Sequence, residues 1–343
     1  LHRREHEIPI EEAIETMAAL ASSPRLGVRD IAPRASSSPP PLGAVAPPRR
    51  VVTVVGRGRV GSALGRMAEA SAQDVRFVLR SDGAEAFANA SGPIYVATHA
   101  SDVDAVLAKI PEARLPEVVL LQGGLLRAPW LARRGLASAT QCCLYLSASA
   151  DGAVVPPPPD VPTVLSDGPC ASHAADLLAA ANVATVRCGG RGGGRGGGGR
   201  ASSAAFARVS LEKLLWTSIF WMLCAASGPG VAVGDVVDSE PELVRALAAE
   251  LTDVIATAAP THRAEFERGC LDAASRAETE AGLLRYSRAI RDAVPSAEMA
   301  TREAAFRNGW FVRVGGEKAQ PLHAEWLRRA GVDVEALARV SIE

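Results

Sequence analysis

Val51-Val-Thr-Val-Val55 runs directly into Gly56-Arg-Gly58-Arg-Val-Gly61, and then into Ser62-Ala-Leu-Gly-Arg-Met-Ala-Glu-Ala-Ser71. The first five residues are apolar or β-branched, the composition of a strand covered on both faces. The last ten carry apolar residues at helical spacing. Between them the glycines stand where a strand-to-helix turn around a phosphate needs them. Gly56 permits a tight bend, Gly58 lets a ligand approach the backbone, and Gly61 lets helix pack closely on strand, while the amides that open the helix attract negative charge. In this strand–turn–helix setting the G-x-G-x-x-G spacing predicts a dinucleotide site built from Gly56, Arg57, Gly58, Arg59, Val60 and Gly61.

Outward from this point the same alternation continues. Further strand-like runs lie at Val75 to Leu79, Pro93 to Thr98, Val118 to Leu121 and Gln141 to Ser147, separated by helical patterns such as Asp102 to Lys109. Strand and helix in alternation predict a mostly parallel sheet with helices on both faces, a Rossmann domain over residues 51–187. Four prolines at Pro156 to Pro159 exclude regular structure. The pattern resumes at Thr163 to Leu165, Ala171 to Ala181 and Ala184 to Val186. Residues 188–203 are dominated by glycine and arginine and predict a linker. Beyond it, Ala, Leu, Glu and Arg at helical spacing predict an all-α domain over 204–343. Residues 1–50 read as a disordered leader; their Ser, Pro, Ala and Arg content also admits an organelle transit peptide.

With 37 basic and 38 acidic side chains, the formal net charge is -1, so no global field draws the chain to nucleic acid or an anionic membrane. Leu214 to Gly234 carries no charge, but Gly228-Pro-Gly230 interrupts it, and the stretch reads as a buried central helix rather than a membrane span. Six cysteines form no C-x-x-C pair and the six histidines are scattered along the chain, which predicts a reducing compartment, cytoplasmic or plastid interior, and no metal site. The Arg-Gly tract lacks interleaved aromatics and is a poor nucleic-acid binder.

The second strand ends at Arg80, 19 residues past Gly61. A carboxylate there would suit the ribose hydroxyl of NAD, whereas a basic residue suits the 2′-phosphate of NADP, so NADP(H) is the expected cofactor. Thr98 and His99, at the end of the Pro93 to Thr98 strand, stand on the edge where the nicotinamide is expected and where either could face it; for His99 a structural role is the preferred reading. Lysine occurs only at Lys109, Lys213 and Lys318 among otherwise arginine-only basic residues. A lysine is therefore an unusual choice in this chain.

Gly56, Gly58, Gly61 and Arg80, followed by Leu120-Leu-Gln-Gly-Gly124 and Glu212-Lys213-Leu-Leu, resemble the ketopantoate reductase (2-dehydropantoate 2-reductase) family. The likeness extends over most of 51–320 and is closest to divergent, uncharacterised members. It implies a C-terminal domain of the 6-phosphogluconate dehydrogenase type, a small carbonyl substrate held between the domains, and homodimerisation through the helices. It places Lys213, at the start of the first long helix of the second domain, as general acid. Glu303-Ala-Ala-Phe306-Arg-Asn308-Gly309 matches the family's substrate-orienting glutamate motif, which makes Glu303 the second catalytic residue. By the same resemblance Gln122 and Gly123 lie at the cofactor and Ser296 at the substrate. The chain also departs from the family. Gly123, Thr217 and Trp221 stand where amides are expected, with Thr217 left as a substrate-binding residue, so ketopantoate itself is disfavoured. The expectation is an NADPH-dependent reductase of a small 2-keto acid or related carbonyl. The alternative is a catalytically degenerate NADP-binding sensor.

Overall fold

A computed structural model of the chain describes residues 51–88, 92–122, 128–149, 152–188, 200–201, 203–258, 273–295 and 297–340. The predicted leader, Gly123, Ser296, Cys270 and most of the Arg-Gly tract lie outside the described residues.

The Val51–Val55 run forms β1, and the helix predicted after the glycines is α1, Arg59–Ala70. The strands that follow are β2 (Asp74–Val78), β3 (Ile94–Val96), β4 (Val118–Leu120), β5 (Thr140–Cys143), the short β6 (Ser147–Ala148) and β7 (Val154–Val155), β8 (Thr163–Ser166), β9 (Thr185–Cys188) and β10 (Arg200–Ala201). The main sheet runs in the order β10-β9-β8-β5-β4-β3-β1-β2, and β6 pairs with β7 as a separate ribbon. Each neighbour pairing in the main sheet is parallel except β5 with β8, which is antiparallel. β1 and β3 are almost wholly buried, as parallel strands covered on both faces must be. The architecture is a Rossmann sheet followed by a helical region.

The helical part opens with α3, Ser203–Ser227, after α2, Ala171–Ala179. It continues with α4 (Val233–Ser239), α5 (Pro241–Thr257), α6 (Ala273–Ala289), α7 (Asn308–Gly315), α8 (Pro321–Arg329) and α9 (Val334–Arg339). α3 stops at Gly228, whose φ of 120° and that of Gly230 at 82° belong to the left-handed region open to glycine. The stretch Ala205–Ser227 is long and apolar enough to cross a bilayer, and 67% of its apolar window is buried inside the molecule. Leu211, Leu214, Leu215, Ile219, Phe220 and Leu223 meet Val244, Leu247 and Leu251 of α5 and Phe311 of α7 in one core. The same core takes in Cys143, Tyr145, Val164, Val186 and Cys188, so α3 packs directly on the β5-β8-β9 half of the sheet.

Two expectations are corrected by this arrangement. Lys213 does not open the first long helix: α3 begins at Ser203 and the lysine sits in its third turn. Nor is the whole of 188–203 outside the sheet, because Cys188 ends β9 and Arg200–Ala201 pairs parallel with it as an edge strand.

Candidate active site

The turn between β1 and α1 has the form its glycines dictate. Gly56 has a φ of 93°, and a Cβ there would lie 2.8 Å from the Ala97 carbonyl oxygen and 3.3 Å from Thr98 Cγ2. A side chain would therefore push β1 off the end of β3. At Gly61 a Cβ would meet the Gly56 carbonyl oxygen at 2.1 Å, so the first turn of α1 is pressed against the loop. Gly58 is different: nothing lies within 4 Å of its would-be Cβ. Gly58 is the N-cap of α1 and makes no side-chain cap bond, while the Ser62 hydroxyl donates instead to the Arg57 carbonyl at 3.4 Å. The helix start thus presents backbone amides to open space, flanked by exposed Arg57 and Arg59 and by Val60, which fits a diphosphate. The Arg57 guanidinium lies 5.0 Å over the Phe77 ring of β2.

Arg80, just past β2, is 79% exposed and pairs with Asp102 at 2.8 Å. Asp82 does not face outward as a ribose acceptor, because its carboxylate takes the Leu79 amide at 2.8 Å. Lys109 pins this loop from behind, donating to the carbonyls of Arg80 at 3.1 Å and Asp82 at 2.7 Å.

At the carboxyl ends of the central strands the loops are tied together. Gln122, beyond β4, donates through Nε2 to the carbonyls of Val96 and Thr98, each at 3.0 Å, so its amide fixes the β3 end. The Thr98 hydroxyl oxygen is buried and makes no hydrogen bond. His99 follows, its side chain 46% exposed, with Nδ1 3.0 Å from Glu303 Oε1. Glu303 is only 13% exposed, and its other oxygen accepts from Arg307 one helical turn on. Arg307 lies flat on Trp221 of α3, its carbon centre 3.7 Å from the ring centroid, and its Nε and Nη1 are buried without partners. Burial pulls the Arg307 guanidinium down to about 10 against the opposing pull of Glu303, which leaves it charged near neutral pH. The chain of contact from the β3 end is therefore His99, Glu303, Arg307, Trp221.

Lys213 occupies a different corner. Its Nζ donates to the Tyr286 hydroxyl at 3.1 Å and sits over the rings of Tyr286 at 4.3 Å, Tyr145 at 4.4 Å and Trp216 at 5.2 Å. Tyr145 follows the end of β5, so Lys213 belongs to the β5 end as Glu303 belongs to the β3 end. β4 separates the two strands, which puts these ends about 10 Å apart. The helix gives a second ruler: Lys213 and Trp221 are eight residues apart on α3, about 12 Å along its axis and about 80° apart around it. α3 thus carries Lys213 near the β5 end and Trp221 beneath the Glu303–Arg307 pair. Thr217 lies between them but is turned inward, 2% exposed, its hydroxyl donating to the carbonyls of Lys213 at 2.9 Å and Leu214 at 3.0 Å.

Behind Lys213, Glu212 faces a cavity of about 50 Å³ lined by Arg208, Arg285, Tyr145 and Tyr286 among others. Burial pushes the Glu212 carboxyl up to about 7, although Arg208 and Arg285 pull it down. Asn308 and Gly309 of the Glu303 motif are structural. The Asn308 amide lies 2.9 Å from Nε2 of the fully buried His323, whose Nδ1 is 2.7 Å from Gln320 Oε1. Burial lowers the His323 imidazole to about 3. Among the described residues no group of three or more His, Cys, Asp or Glu is placed to hold a metal ion.

No protein-family model matches the chain, and no curated protein matches it in sequence. Solved structures do. D-mandelate dehydrogenase, in a ternary structure with NADH and anilino(oxo)acetate, aligns at 15% identity over 84% of this chain and 99% of its own, with a TM-score of 0.54. A ketopantoate reductase from Ralstonia eutropha aligns at 16% identity over 82% of this chain and 98% of its own, with a TM-score of 0.51. The Rossmann sheet followed by a helical region is thus the fold this chain shares with D-mandelate dehydrogenase and ketopantoate reductase.

Proposed function

We propose that the chain is an NADPH-dependent reductase of a small 2-oxo acid or related carbonyl compound, with cofactor along the Gly56–Gly61 turn and substrate between Lys213 and Glu303. The observation that carries this reading is the convergence on one sheet edge of an amide-lined glycine turn, a caged ammonium and a buried carboxylate. The bound cofactor supplies a hydride to the carbonyl carbon. Lys213, held by Tyr286 and three ring faces, supplies fixed positive charge for the oxygen that becomes an alkoxide. Glu303 orients the opposite side of the site. Arg80 would take the 2′-phosphate in exchange for its exposed pair with Asp102. The domain halves, 51–187 and 204–343, close the site from the sheet and helix sides, and 188–203 joins them. A homodimer through the helical half belongs to the same proposal, as does a location in a reducing interior. The fold of D-mandelate dehydrogenase and ketopantoate reductase supports the reading, since both names denote enzymes that interconvert a carbonyl and an alcohol.

The competing reading is a non-catalytic NADP sensor, and the inward-turned Thr217 together with Trp221 covered by Arg307 favours it. Titration calorimetry with NADPH and NADH, followed by turnover with a set of 2-oxo acids, separates the two. Tighter NADPH than NADH binding, with turnover lost but binding kept in Lys213→Ala, is the expected result. NADPH binding without oxidation by any oxo acid favours the sensor, and no heat with either coenzyme ends both.

A further inference from the structure

Resting on that reductase reading, we propose that His99 is the proton donor of the reaction and that Glu303 acts through it as a positioning residue. Both Glu303 oxygens are already engaged, one by His99 and one by Arg307, and the carboxylate is mostly covered. The member of the pair that faces the open end of β3 is the imidazole, with nearly half its side chain exposed. It stands two residues beyond Ala97, whose carbonyl is packed against Gly56, and so adjoins the strand end over which a nicotinamide lies when the phosphates sit on α1.

The hydrogen bond decides how the ring works. An ionised carboxylate only accepts, so Nδ1 carries the proton directed at Glu303 and Nε2 is the nitrogen that gains and gives a proton. Arg307 pairs with the other Glu303 oxygen, and its contact with the Trp221 ring keeps Arg307 in place. In the reaction the carbonyl carbon takes a hydride from the reduced nicotinamide, and the carbonyl oxygen takes the Nε2 proton of the imidazolium. The products are the alcohol, the oxidised nicotinamide and a neutral imidazole still bonded to Glu303. Lys213 is less suited to this step, since a proton released from it would forfeit three cation–π contacts. Its charge at the β5 end is left for the carboxylate or the developing oxyanion. The charged groups around His99 are Glu303 in contact, Arg307 behind it, and Asp102, paired with Arg80, in the turn that His99 opens.

The test uses the full chain. Nitrogen-15 spectra of the neutral form of the ring, with the His99 signals assigned by their loss in His99→Gln, are expected to show the proton at Nδ1 and a bare Nε2; the opposite tautomer overturns the proposal. In turnover with NADPH and pyruvate, 2-oxobutyrate or 2-oxoisovalerate, His99→Gln is expected to bind NADPH within about threefold of the parent while kcat falls by roughly 10²–10⁴. The fall of kcat/KM with rising pH should vanish in His99→Gln. If that fall persists in His99→Gln, a group other than His99 is the donor and the proposal is overturned. An active parent with an unimpaired His99→Gln sinks this assignment alone. A parent that binds NADPH but reduces none of the three acids sinks the reductase reading and the assignment with it.

Discussion

Gly58 and Gly61 are three residues apart and answer to different demands. A methyl group at 61 would strike the Gly56 carbonyl oxygen, whereas one at 58 would project into open space. Gly61→Ala is therefore expected to cost about 2 kcal/mol or more in urea unfolding, because neither the loop nor the helix can retreat. Gly58→Ala should change stability by less than about 1 kcal/mol. Yet it should weaken NADPH binding by about tenfold, since the methyl stands where the pyrophosphate would approach the amides. Equal effects of the two substitutions on folding would contradict the geometry of the turn. Glu212 supports a pH prediction of definite sign. Its carboxyl is raised from 4.5 to about 7 by burial, so the fold prefers the protonated acid. The stability this contributes is complete below pH 4.5 and is lost as pH rises through about 7, amounting to about 3 kcal/mol. Glu212→Gln keeps the group neutral and should be more stable than the parent at pH 8 and about equal to it at pH 4.5. His323, lowered to about 3, works in the opposite direction, losing stability as pH falls below 6.5. The difference between parent and variant denaturation curves, rather than either curve alone, isolates the glutamate.

At the scale of elements, α3 links fold to site, since it carries Lys213 and Trp221 while most of its other side chains fill the core. Leu215 is fully buried within it, and Leu215→Ala is expected to cost about 3 kcal/mol by cavity formation. A much smaller loss on chemical denaturation would mean that α3 is not the centre of the core. The strands and α1 were legible because their signals are local: β-branched runs of five, a glycine turn, apolar residues at helical spacing. The antiparallel seating of β8 was not, because it depends on the path the chain takes around Pro156 to Pro159 rather than on β8's own residues. β10 was hidden for a simpler reason, being two residues long after a glycine-rich tract. The start of α3 was misplaced because Ser203 to Val209 contains no breaker, and the helix runs back from Lys213 without interruption. Within the site, the Glu303–Arg307 pair was readable from its i, i+4 spacing. The His99 contact was not, since its partner lies 204 residues away and only the docking of the helical region on the β3 end brings them together. A structural role is the preferred reading of His99 from sequence, and the proposal that it donates a proton rests on its exposure and its partner.

The whole molecule is held by cores that do not respect the boundary between sheet and helices. Val54, Leu64 and Tyr95 belong to the core on one side of the β1 region, and Val55, Phe87 and Val96 to that on the other. The third core joins Tyr145, Val164 and Val186 of the sheet half to Leu215, Phe220, Leu251 and Phe311 of the helical half. Two halves that share a buried interior lose most of it if either unfolds alone, so neither is expected to persist without the other. Thermal unfolding should be a single transition, with the same midpoint from far-ultraviolet circular dichroism and from tryptophan fluorescence. The second signal is weighted to the helical half, where four of the five tryptophans lie, at 216, 221, 310 and 326. A reductase of the proposed kind binds NADPH on its sheet half, so the cofactor also tests the coupling. At about 100 times Kd it should stabilise the native state by about 2.7 kcal/mol, moving both signals together, with a smaller shift for NADH that Arg80→Ala removes as a distinction. Two separated midpoints, with only the earlier or later one responding to NADPH, would show that the third core does not couple the halves. The His99–Glu303 contact, which spans them, would then have to form anew in each catalytic cycle instead of being built into the resting fold.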